Sequence, residues 1–179
     1  MDMQFLSKNT TTAEEIKKTR NRLGLTQKEF AELVGISKPT IERWETSENK
    51  ITGPIATLLP LLTKDYLEQN RIPQKTKPLR MWYMFKDTPC TLIDVDDGNQ
   101  DVVIKNYINN FQFRAFGCNE HPTYKEYQEL LESRCFPRSR DKMKLILKDM
   151  DLPFYEPYMI IKKTQGRMAE DYFWLKIEE

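Results

Sequence analysis

The chain has one histidine, three cysteines and no long run of apolar residues, and each scarcity closes off a class of function. A membrane helix needs roughly 20 consecutive apolar residues, and no stretch approaches that. The opening MDMQFLSKNTTT lacks the basic flank and apolar core of a secretion signal, so the cytoplasm is the expected compartment and no membrane is expected as a partner. Cys90, Cys118 and Cys135 are odd in number and widely spaced, which reads as free thiols in a reducing compartment rather than a disulfide framework. His121 with Cys118 and Cys135 supplies no fourth ligand and no Cys-x-x-Cys pair, so no metal site and no cofactor are expected. Asp94, Asp96, Asp97 and Asp101 do not have calcium-loop spacing, because the glycine falls one position early and no glutamate closes the loop. They read as an acidic hairpin tip. Nucleophile-base pairs, paired carboxylates on one definable element and phosphate-cradling glycine loops are all missing, so an enzyme is not expected.

What is present is a soluble composition, 39% hydrophobic and 31% charged, over 179 residues, a length that suits two small domains. The formal net charge of +1 is uninformative, since recognition of a charged partner depends on where charge gathers on the surface and not on its total. Residues 12 to 70 read as helical throughout, with breaks at Gly24, Gly35 and from Glu48 to Pro54. The polar, basic stretch RIPQKTKP, with two prolines, reads as a linker over residues 71–78. Beyond it LRMWYMFK, CTLIDV and DVVIKNYI have strand composition, with a hairpin turn at Asp97-Gly98 that rests on the freedom of glycine to adopt positive φ. FQFRAFG is a fourth candidate strand. Thr123 with Glu126 forms a capping box ahead of a helix. Further helices are predicted over Ser139 to Asp149, which places Met143, Ile146, Leu147 and Met150 at helical spacing, and over Glu156 to Gln165. DYFWLKI reads as a closing strand. The expected fold class is α + (α+β): a five-helix domain over residues 1–70, then a small α+β domain with an antiparallel sheet over residues 79–179.

The most informative stretch is TQKEFAELVGISKPTIERWE. Thr26 and Glu29 have capping-box spacing; Phe30, Ala31 and Val34 share one helical face; Gly35 stands where a left-handed residue must turn the chain. Ile36 packs the turn, Ser37 caps the next helix, and Pro39 falls in its first turn, where a missing amide costs nothing. Ile41 and Trp44 form that helix's buried stripe. Ala31 is small because the two helices cross closely there.

This pattern closely resembles the Cro and phage-repressor (XRE) class of helix-turn-helix, over about Glu14 to Leu62. The N-cap threonine, the following glutamine, the alanine, the turn glycine and the terminal Trp-Glu match together. The family usually places a glycine soon after that Trp-Glu pair, where this chain has Ser47. The resemblance implies double-stranded DNA as partner, with the helix from Ser37 in the major groove. Lys38, Pro39 and Arg43 would face base edges with Thr40 close by, Gln27 would grip a phosphate, and Asn49 and Lys50 would contact the backbone. It also implies an ion pair between Arg20 and Glu45.

The second domain is less explicit. Arg134, Arg138, Arg140 and Lys142, continued by Lys144 and Lys148, form the strongest basic cluster. Three readings stand: a solvated helix face, a phosphate contact, or docking onto an acidic partner, with Lys162, Lys163 and Arg167 adding to the same surface. The aromatic end, Tyr172 to Leu175, reads as core and also as a dimer edge. The stretch from Phe136 to Ile177 resembles C-terminal modules of bacterial regulators associated with HipA-like kinases. The expected function is therefore a sequence-specific, dimeric DNA-binding regulator, a repressor. The alternative is an antitoxin-like or phage-encoded inhibitor of a kinase toxin or a nuclease, which uses DNA binding to regulate its own gene.

Overall fold

The structure is a computed structural model that describes residues 8–178. The chain divides after Ile72 into two compact units. No helix among the described residues is long and apolar enough to cross a membrane.

Among its described residues the first unit has five α-helices, α1 (Ala13–Arg22), α2 (Gln27–Val34), α3 (Lys38–Glu45), α4 (Pro54–Leu58) and α5 (Lys64–Asn70), with a 3-10 turn at Leu59–Leu61. Thr12 with Glu15 and Thr26 with Glu29 close complete capping boxes on α1 and α2, so each hydroxyl takes one orphan amide and each glutamate returns to the cap. Gly35 ends α2 at φ 72°, a left-handed turn that a β-carbon would strain. The helices close on Ile16, Phe30, Ala31, Ile41, Ile51, Ile55, Leu59 and Leu62, all buried. Arg22 Nη2 ties α1 to the far end of the unit by donating to Leu62 O at 2.9 Å. Besides the predicted helices there is a two-residue antiparallel pairing of β1 (Thr10–Thr11) with β2 (Ile51–Thr52).

The second unit is a four-stranded antiparallel sheet with helices on one face. Its strands are β3 (Leu79–Phe85), β4 (Thr88–Asp96), β5 (Asp101–Asn106) and β6 (Phe173–Glu178), in the order β5-β4-β3-β6. Helices α6 (Tyr124–Ser133), α7 (Met143–Asp149) and α8 (Pro157–Thr164) lie between β5 and β6 in sequence. Period-2 alternation sends Met81, Tyr83, Ile93, Val95 and Leu175 into the core with Tyr127, Leu131, Ile160 and Ile161 of the helices. Trp82, Met84 and Leu92 make a separate cluster with Tyr107 and Trp174.

Four local expectations are corrected. FQFRAFG is not a strand: Phe111–Phe113 is one 3-10 turn, and Phe113 packs edge-on against Phe85 at 4.7 Å. Its aromatics serve a core contact rather than a ladder. The hairpin between β4 and β5 takes its left-handed residue at Gln100 (φ 51°), not at Gly98, and Asp96 braces the loop by accepting from the Asn99 amide and side chain at 3.1 and 2.8 Å. Helix α7 begins at Met143 rather than Ser139, because Lys142 adopts φ 59° and breaks the helical path. Asp94 does not belong to the acidic hairpin tip. It is buried with Arg80, whose Nε and Nη2 reach its two oxygens, each at 2.6 Å.

Candidate nucleic-acid interface

Helices α2 and α3 are held by their buried faces, and this decides what α3 presents outward. Ile41 is fully buried, Trp44 is half-buried, and Ala31 is buried within the same cluster. On the opposite side Ser37, Lys38, Pro39 and Arg43 are exposed and Thr40 is half-exposed. Ser37 occupies the N-cap, but its hydroxyl meets the Thr40 hydroxyl at 2.8 Å and makes no cap bond to the backbone. Of the first-turn amides of α3, those of Thr40 and Ile41 donate to Ser37 O at 3.0 and 3.3 Å and Pro39 has none, which leaves the Lys38 amide without a backbone acceptor among the described residues. Lys38 Nζ lies 2.9 Å from Glu42 one turn on, an exposed pair that adds little to stability. Arg43 has no ion pair among the described residues and extends from the same face.

Glu45, at the end of α3, is the hub of a bonded cluster. Arg20 Nε and Nη2 donate to its two oxygens at 2.6 and 3.1 Å, and Arg20 Nη1 donates to Leu25 O at 2.9 Å. Burial pushes the Glu45 carboxyl up, but hydrogen bonds from Arg20 and Gln27 and the charge of Arg20 outweigh it and hold the group below its ordinary range. Gln27 thus has a second duty: its Nε2 donates to Glu45 Oε2 at 2.9 Å, which fixes the start of α2 to the end of α3.

The loop after α3 forms without the glycine usual in this class. Ser47 Oγ accepts from the Asn49 amide at 3.2 Å, and the left-handed conformation falls later, at Gly53 (φ 108°). Asn49 and Lys50 are exposed on this loop.

In the second unit the basic cluster separates into different parts. Arg134 does not belong to any contact surface. It is buried, and it donates to Gly166 O (3.0 Å), to both Asp171 oxygens (2.6 and 3.0 Å) and to Phe173 O (2.7 Å). Arg138 is exposed, pairs with Glu132 at 2.6 Å and lies over the Tyr155 ring at 4.5 Å. Arg140 and Lys142 are exposed, with Arg140 over Phe136 at 5.8 Å. Strand β6 is covered along the first half of its outer side. On its outer side the Phe173 amide donates to Asp171 at 2.9 Å, Phe173 O is held by Arg134, and the Leu175 amide donates to Gln165 O at 2.8 Å. These bonds occupy the groups that a strand from another chain would need over the first half of β6, from Phe173 to the Leu175 amide.

Residues 16–60 match the family model described as helix-turn-helix. This segment is similar to helix-turn-helix segments of the Cro and phage-repressor class. A segment of 44 residues is 54% identical to part of the type II methyltransferase M.SsoII of Shigella sonnei. That likeness covers 23% of this chain and 12% of the methyltransferase, and it lies in the helix-turn-helix region. No solved structure matches the chain.

Proposed function

We propose that the protein is a sequence-specific transcriptional regulator that represses as a dimer, reads bases with α3, and is a binding protein rather than an enzyme. The observation that carries this reading is the outward row Ser37, Lys38, Pro39, Thr40 and Arg43 on a helix locked from behind by Ile41 and by Glu45. Lys38 and Arg43 offer donors for guanine O6 and N7, and Pro39 offers an apolar surface for a thymine methyl. Asn49 and Lys50 add backbone contacts that set register without reading sequence. Gln27 contributes chiefly by positioning Glu45, with a phosphate contact from the remainder of its amide. The similar segment in a methyltransferase fits a reader module that is joined to unlike second domains.

A dimer follows from the size of the reader. One α3 spans too few bases for a unique site, whereas two copies on a two-fold axis read half-sites about 34 Å apart. Selection of bound fragments from random DNA by the full chain, followed by footprinting, tests this. The expected result is an inverted repeat with half-sites one helical turn apart, bound with an affinity that falls by about 0.9 log units per log unit of salt for each phosphate contacted. No enrichment, or a footprint without two-fold symmetry, would overturn the reading.

A further inference from the structure

A groove of about 660 Å³ lies in the second unit, between α6 and the start of α8. Its volume is that of a small-molecule site, for which roughly 300–1,000 Å³ is usual. Four carboxylates line it, Asp97, Glu129, Glu132 and Glu156, against two cations, Lys125 and Arg138. Both cations are already engaged: Arg138 with Glu132 at 2.6 Å, and Lys125 with Glu129 at 3.6 Å. Asp97 and Glu156 form no ion pair among the described residues. Asp97 accepts from the Tyr124 hydroxyl at 3.1 Å, and Glu156 accepts from the Met159 amide at 2.9 Å, so each carboxylate retains accepting capacity.

Charge without a ligand would mean little, but the wall of the groove holds a second feature. Tyr127 is only 2% exposed, and its ring lies against Tyr124 at 5.7 Å. Among the described residues its hydroxyl has no hydrogen-bond partner, although every side-chain polar atom sealed from solvent has one. The hydroxyl is therefore not sealed; it opens onto the groove that Tyr127 lines. The polar groups that act on it electrostatically, Asp97, Tyr124, Tyr158 and Glu156, all line that groove too. A hydroxyl with no protein partner, on a side chain otherwise out of water and beside two carboxylates that form no ion pair, is a place for a donor-rich guest.

We propose that this groove binds a small organic cation carrying an ammonium or guanidinium group. Its N–H donors pair with Asp97, Glu156 and the Tyr127 oxygen, and its charged head lies against the tyrosine rings. The site lies wholly in the second unit, so it stands or falls independently of the DNA-binding reading.

Calorimetric titration of the full chain with agmatine and with spermidine tests it, with glutarate as an anion of comparable size. Saturable one-to-one binding of either cation is expected, weakened at least tenfold by Tyr127→Phe and by Glu156→Gln, with no heat from glutarate. Glu156→Gln keeps an acceptor for the α8 cap, and Asp97→Asn, on an exposed loop, supplies a third variant that does not touch the core. A thermal melt of each variant separates lost binding from lost fold. No saturable heat from either cation, equal binding of glutarate, or undiminished binding in correctly folded variants would overturn the proposal. So would an arginyl tetrapeptide that binds ten times more tightly than agmatine, because the groove would then belong to a protein partner.

Discussion

Arg20 holds Glu45 across 25 residues of sequence with a two-nitrogen grip, and its third nitrogen caps Leu25 O. The side chains are 14% and 5% exposed, so the pair lies largely out of water at the junction of α1 and α3. Removal of one member leaves the other charge buried without its partner, which costs more than the pair contributes when intact. Arg20→Ala is expected to destabilise the first unit by about 3 kcal/mol, a loss on the order of 10 °C in Tm. Arg20→Lys is expected to recover only part, because an ammonium cannot span both oxygens and Leu25 O. A calorimetric melt decides it, and an unchanged Tm for Arg20→Ala would remove the pair from any structural role.

On the proposed reading, base reading and backbone gripping are separable on this surface. Arg43→Ala is expected to weaken binding to the selected operator by about 1–3 kcal/mol and to relax preference at one position in each half-site. Lys50→Ala is expected to weaken cognate and unrelated DNA alike and to lower the salt slope by about one phosphate contact per protomer. Affinities for operator and scrambled duplex at several salt concentrations distinguish the two. If Arg43→Ala lowers both affinities equally, Arg43 grips the backbone and does not read bases.

Arg134 is a bracket inside the second unit. It joins the end of α6 to Gly166, Asp171 and the first residue of β6 through four hydrogen bonds. Arg134→Ala strands a carboxylate and two carbonyls, and the expected cost is about 3–5 kcal/mol. Arg138→Ala, an exposed neighbour in the same basic run, is expected to cost under about 1 kcal/mol. Chemical denaturation of both variants gives the comparison, and equal effects would contradict the distinction drawn between them.

Arg134 and Arg138 also show where the sequence stopped being legible. Both lie in one basic run, and nothing local separates them. What buries Arg134 is Asp171, 37 residues further on, which becomes its neighbour only when β6 joins β3. The aromatic run at Phe111 to Phe116 misled for a related reason: its ring contact is with Phe85, and composition does not tell an aromatic ladder from an aromatic plug. The helix-turn-helix was readable because its signals are local. Capping boxes, the turn at Gly35 and the spacing of Phe30, Ala31 and Ile41 are each satisfied within a few residues. The duty of Gln27 on Glu45 was not readable from spacing, since it depends on how α2 and α3 cross.

Acid is expected to loosen both units through two carboxylates. Hydrogen bonds from Arg134 hold Asp171 below its ordinary range against the opposing effect of burial, and donation from Arg20 and Gln27 does the same for Glu45 once burial is overcome. A carboxyl whose folded-state pKa is depressed contributes stability that is complete above its unfolded-state value and is lost as pH falls through the folded one. The unfolded values are about 3.9 for aspartate and 4.3 for glutamate. Tm is therefore expected to hold from neutral pH down to about 5 and to fall progressively below that. Glu45→Gln and Asp171→Asn abolish one titration each, so each variant starts lower at neutral pH and shows a shallower decline in acid. Melts of the three proteins from pH 7 to 3 test this, and parallel curves would show that other groups govern the acid response.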